Sequence, residues 1–327
     1  MMGRISLAIA VFVGSLAWAS AVHAQDKVTL RIGHVTTLQA IAGQGSTKLK
    51  EVAERLSDGA IQVEIFPGGQ LGGELEMVSQ VRLGTLDMAM AGSGIVAAIE
   101  PTFSVTELPF IWKSRESAWN VLNGPIGQKI LALLEPKGIK GLGWGVWDFR
   151  GFLTTGFDVQ VPDDLKGKKI RVIENPLYVR TIRAYAGNPV PMAWPEVYSA
   201  LQQKTIDGVE TNYHGMADAK LYEVAKNLAV TDHIWTATVY VINLEKFQSL
   251  SAEHQKIIMQ AAKEAGETML AGAKKANDEA IALIERSGGK ITRPDRAAFT
   301  KAVEPVHGYF ANLVGQDLLD EIAAAQE

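Results

Sequence analysis

Apolar and polar positions alternate in short blocks along most of this chain, and the period changes from block to block. Val28-Thr29-Leu30-Arg31-Ile32-Gly33-His34 alternates as a strand does and ends beside a glycine. Leu49, Val52 and Leu56 follow at spacings of three and four, the period of a helix. Ile61 to Phe66 alternates again and is closed by Pro67-Gly68-Gly69. Glu74 to Leu83 reads as a helix stopped by Gly84, and Leu86 to Ala91 as a short apolar strand. This β-α-β-α-β order marks an α/β layer with parallel strands. A second stretch repeats it, with strands over Ile139 to Trp147 and Gly167 to Ile173 and helices over Pro176 to Ala186 and Pro195 to Gln203. No long polar linker, internal repeat or low-complexity tract intervenes, so two α/β domains in contact are expected.

One block is different. Between Ser251 and Ser287 there is no proline, and glycine occurs only at Gly266 and Gly272 before the Gly288-Gly289 stop. Ile258, Ala262, Ala265, Met269, Ala273, Ala276, Ala280 and Ile284 keep helical spacing, with Ser251 as N-cap and Glu253 in the first turn. A helix over about 252–287 would be about 50 Å long, more than one small domain needs. Two helices broken near Gly272 are the alternative to a brace across both domains.

The N-terminus sets the compartment. Arg4 is followed by an apolar run from Ile5 to Ala19, and Val22-His23-Ala24 offers small residues at a cleavage site, so 1–24 reads as a cleaved secretory signal. The run is short for a bilayer, which needs about 20 apolar residues, and no cysteine is present to carry a lipid anchor. The formal net charge of −4 becomes −5 when Arg4 leaves with the signal, which argues against nucleic acid as a partner. No other apolar run is long enough to insert in a membrane. With no cysteine there are also no disulfides, thiolate nucleophiles or thiolate metal sites.

Residue patterns that carry chemistry are sparse. The six histidines form no close metal pair, so neither a metal nor a cofactor is expected. Gly92-Ser93-Gly94-Ile95-Val96-Ala97 loosely matches a dinucleotide fingerprint, a common accident in an exported chain. Nothing pairs a nucleophile with a base, so no enzyme is expected. The positive signal is an arginine on a strand, Arg171 between Ile170 and Val172, followed by Trp194 at a helix start. In a buried strand that charge must be matched, and its planar fork suits a two-oxygen acid. Arg150, in Trp147-Asp148-Phe149-Arg150-Gly151-Phe152, is a second candidate. Trp144, Trp147, Trp194 and Trp235 all fall near these segments, with ordinary packing expected to account for at least two of them.

Several ordered motifs resemble the DctP-like solute-binding subunits of tripartite ATP-independent periplasmic (TRAP) transporters, over nearly all of the chain beyond the signal. They are Phe66-Pro67-Gly68-Gly69-Gln70-Leu71-Gly72-Gly73-Glu74, Leu108-Pro109-Phe110, Asp164 to Val172, Pro191 to Gln202 and Asp207 to Glu210. The resemblance implies a two-domain periplasmic binding protein of the class II kind, α/β, with a cleft and a long helix spanning both domains. The domains would be 25–147 plus 237–276 and 148–236 plus 277–327. It also implies that Arg171 pairs with a ligand carboxylate and that Arg150, Trp194 and His233, with Trp235 close by, belong to the site. Family members carry an asparagine directly after Asp-Gly-x-Glu, where this chain has Thr211 and then Asn212, so either would make the polar contact. Glu174 lies three residues beyond Arg171, facing the cleft or facing outward. The implied function is a monomeric periplasmic receptor that captures a small organic acid, a monocarboxylate or hydroxy acid by preference, for TRAP membrane permease subunits driven by an ion gradient. A binding module of an ATP-driven importer or of a sensor is the alternative.

Overall fold

The computed structural model describes residues 27–326, so the segment read as a signal, 1–24, lies outside the described residues. Ten strands form the sheet system: β1 Val28–Gly33, β2 Ile61–Phe66, β3 Met88–Gly92, β4 Ile139–Thr154, β5 Lys169–Val172, β6 Asn188–Pro191, β7 Gly208–Asn212, β8 Asn227–Ala229, β9 Trp235–Asn243 and β10 Lys290–Thr292. The main path runs β2-β1-β3-β9-β4-β7-β5-β6, with β8 on β4 and β10 on β8. The parallel pairs foreseen from the helical crossovers are present, β1 with β2 and β3 in one lobe and β5 with β6 and β7 in the other. The fold is therefore the two-lobed α/β architecture that the alternating pattern foreshadows.

The lobes share β4. Its first part, Ile139 to Phe149, pairs antiparallel with β9, and its last part, Arg150 to Thr154, with β7. The strand bends at a register shift between Val146 and Asp148, where Asp148 takes φ 66. Asp148 is fully buried there, and its carboxylate accepts two bonds from Arg115 (2.9 and 2.5 Å) and one from Asn277 Nδ2 (2.9 Å). A buried carboxylate needs such partners, and these tie the bend to a helix of the first lobe and to the long helix.

That helix runs unbroken over Ala252–Arg286, with Ser251 accepting from His254 N as its cap. The two glycines do not break it. Gly266 lies against the Trp144 carbonyl of β4, where a side chain would collide, and Gly272 faces Ile41 of the helix Ile41–Leu56. Gly266 allows the close approach to β4, while Gly272 makes ordinary contact, so the helix braces the molecule without a break. The helix Glu304–Val314 packs on the turn Pro101–Glu107 of the first lobe and on the helix Pro176–Ala184 of the second. Among the described residues no helix is long and apolar enough to cross a membrane.

Candidate functional site

A cavity lies between the lobes. Its wall comes largely from residues at or just past the carboxyl ends of strands, where open α/β sheets present their ligand sites. Val35 and Thr36 follow β1, Ile173 follows β5, Trp194 follows β6, and Thr211 and Asn212 end β7. Trp147 and Arg150 enter from the bend of β4, and Glu74 from the start of the helix Glu74–Leu83. The lobes are closed on one another. Thr37 Oγ1 donates to Asp218 Oδ1 (2.6 Å) at one lip, and Asn175 Nδ2 donates to Gly94 O (2.5 Å) at another. Gly73 leaves just enough room for Ala193 opposite, 3.3 Å from where a side-chain carbon would stand.

Arg171 is only 3% exposed, yet it has no carboxylate partner among the described residues. Its Nε and one Nη2 hydrogen go to the Met192 carbonyl (3.0 and 2.7 Å), and Trp194 stands 5.4 Å from the guanidinium carbon. The edge carrying Nη1 and the second Nη2 hydrogen is left for a two-oxygen acceptor. Burial first, and then repulsion from Arg150, pull its pKa down to about 10. A cation in this condition is held for an anion that is not part of the chain.

Arg150 is 1% exposed and its charge is paired within the protein, with Nη1 making only a long contact to Thr236 Oγ1 (3.4 Å). Its Nε and Nη2 clasp the Glu210 carboxylate (2.5 and 2.8 Å), Nη2 also reaches the Glu210 carbonyl (3.1 Å), and Tyr178 covers it at 4.8 Å. Burial works against its charge, but the carboxylate of Glu210 more than offsets this and the net shift is upward. His233 stands behind the pair, with Nε2 3.5 Å from Glu210 Oε1, Nδ1 on Thr231 Oγ1 (2.7 Å) and its ring stacked on Phe152. Burial holds that imidazole neutral, with a pKa of about 4.

Two more buried acids face the arginines. Glu74 accepts from Gly92 N (2.9 Å) through one oxygen, and burial lifts its pKa to about 7 against the pull of that bond and of Arg171. Glu107 accepts from Ser93 Oγ, Gly94 N and Tyr178 across the cleft, and burial raises it as well. His214 Nε2 lies 2.9 Å from Trp147 O, and burial lowers its pKa to about 4. Trp147 packs its benzo edge on Gly92, and its buried Nε1 has no partner among the described residues. Asn212 uses Oδ1 to cap the following helix through Gly215 N (2.7 Å), which leaves its Nδ2 to the cavity it lines.

Of the residues singled out in the sequence, the cavity gathers Arg171, Arg150, Trp194, Thr211 and Asn212. Both Thr211 and Asn212 line it. Glu174 is half-buried and outside the lining, and His233 sits one layer back behind Glu210. Trp235 is in the core against Trp112, at 6.2 Å between rings, and Trp144 packs on Phe103. Sequence reasoning did not name Val35, Thr36, Ile173, His214 or Gly215 as site residues. Their only signal is position, directly after a strand or in the first turn of the helix that follows. Glu74 closes a quoted motif, but nothing in the motif shows that it is buried. Among the described residues no cluster is built to hold a metal ion.

Two α/β lobes sharing crossing strands, braced by one long helix and closed over a cavity with an unmatched cation, define a two-domain solute-binding protein. The chain belongs to the DctP family, bacterial extracellular solute-binding protein family 7, whose model matches residues 32–313. It is thus a TRAP solute-binding protein and no enzyme. It is 32% identical over 325 residues to the 2,3-diketo-L-gulonate-binding periplasmic protein YiaO of Escherichia coli K12, covering 98% of this chain and 99% of that one. A TRAP periplasmic solute-binding protein from Bordetella bronchispeptica, with density assigned to pantoate, superimposes with TM-score 0.88 at 31% identity, covering 91% of this chain and 99% of its own. One from Polaromonas sp. JS666 bound to D-erythronate gives TM-score 0.89 at 28% identity, with 91% and 99% coverage.

Proposed function

We propose that this chain is the periplasmic receptor of a TRAP transporter, capturing a small organic acid whose carboxylate is held end-on by Arg171. The observation that carries this reading is a guanidinium 3% exposed with no ion pair to a carboxylate among the described residues. The acids named for the three relatives, a diketogulonate, pantoate and D-erythronate, support the same ligand class. The moving bodies are 25–147 with 237–276 and 148–236 with 277–327, turning about the bend of β4. A ligand that touches both bodies only when they are closed favours the closed form, and that form presents the acid to the membrane permease for ion-gradient-driven uptake.

The test is calorimetry and thermal shift on the chain from Gln25 onward, freed of co-purified ligand, against a panel of organic acids. At a ligand concentration a hundred times Kd, binding stabilises the folded state by about 2.7 kcal/mol. The expected result is a clear shift with one class of acid, abolished by Arg171→Ala and strongly reduced by Arg171→Lys, which lacks the fork. Equal affinity in either variant would remove Arg171 as the anchor.

A further inference from the structure

We propose that the cavity selects acids with a single carboxylate and an uncharged, oxygen-bearing tail, and that Glu74 is the residue that turns away a second charge. This rests on the receptor reading above and narrows it. Among the described residues two cations line the cavity, and Arg150 already holds the Glu210 carboxylate with two bonds. Arg171 alone has charge left for a ligand. The other basic side chain in the wall, His214, is kept neutral by burial. A second carboxylate enclosed in this cavity would have no free cation to meet among the described residues. It would lie instead in a wall that contains Glu74, with Glu107 close behind.

The remaining polar atoms suit an uncharged tail. Trp147 Nε1 and Asn212 Nδ2 are donors without partners in the wall, fitted to hydroxyl or oxo oxygens. Glu74 has one oxygen on Gly92 N and the other unengaged, able to accept from a hydroxyl. Val35, Trp147, Ile173 and Trp194 supply the apolar surface that a carbon skeleton packs against.

The test is calorimetry near pH 7 with four probes: pantoate, D-erythronate, butyrate and succinate. The expected result is that at least one hydroxylated monocarboxylate binds about tenfold or more tighter than succinate. It should also outrank butyrate, which carries no tail oxygen, and Trp147→Phe should shrink that advantage. Glu74→Gln keeps an acceptor for Gly92 N while removing the charge, and it should narrow the gap to succinate. The gap should also widen from about pH 6 to pH 8, and by more in the wild-type chain than in Glu74→Gln, where only succinate's own second ionisation contributes. Succinate binding as tightly as the best monocarboxylate, or a gap whose size and pH dependence are the same in Glu74→Gln, overturns the selectivity while leaving the receptor standing. Failure of all four probes to bind overturns both.

Discussion

Arg150 and Arg171 are buried almost equally, on strands separated only by β7, and both line one cavity. Arg150 is clasped by Glu210 and covered by Tyr178, so its charge is answered within the protein. Arg171 has a carbonyl, an indole face and no carboxylate. The same residue type at the same depth therefore does two jobs, and its partners decide which. A paired buried charge belongs to the architecture, where removing one partner strands the other. An unpaired one is stable only if something from outside completes it.

The comparison breaks most visibly in stability. Glu210→Gln strands the Arg150 charge and should lower unfolding stability by about 3–5 kcal/mol, read in denaturant titration. Arg171→Ala should leave the ligand-free melting point unchanged or raised, because it removes an unmatched buried charge. The same substitution should cost about 2–5 kcal/mol of binding by calorimetry, much of it the desolvated carboxylate left alone. A ligand-free Arg171→Ala protein as damaged as Glu210→Gln would erase the distinction.

Protonation sharpens it further. Glu74, facing Arg171, Arg150 and Glu107, titrates near 7 in the empty site. An anion on Arg171 is a like charge that raises it more, so the complex holds the proton more firmly than the free protein does. Affinity should fall as pH rises from about 6 to 8, by at most about tenfold per unit. The fold itself follows the same sign, since a carboxyl raised from 4.5 to about 7 contributes stability at low pH that is lost as pH climbs through that range. The smallest effect belongs to the lip. Asp218→Ala removes the bond from Thr37 Oγ1 and should weaken ligand affinity by about 0.5–1.5 kcal/mol with little change in ligand-free melting.

Much of the frame was legible because it is local. Ser251, a helical stripe and a double-glycine stop define the long helix to within a residue of its end. The bend in β4 was not legible. The pattern from Ile139 predicts a strand ending at Trp147, whereas the strand continues through Asp148 to Thr154, held by Arg115 and Asn277 from distant segments. The site was half legible for the same reason. Arg171 and Trp194 stand in recognisable local settings. That Arg150 answers to Glu210, 60 residues away, depends on a pairing of β4 with β7 that no local pattern contains. His233 was read as part of the site and stands one layer behind it, a difference of depth that spacing along a chain does not encode.

The most direct test of the account is a crystal structure of the chain with its best-binding acid. The expected result is the ligand carboxylate about 3 Å from Nη1 and Nη2 of Arg171, with Arg150 still clasped to Glu210. A carboxylate seated on Arg150 with Glu210 displaced, or an acid bound without contact to Arg171, would contradict it.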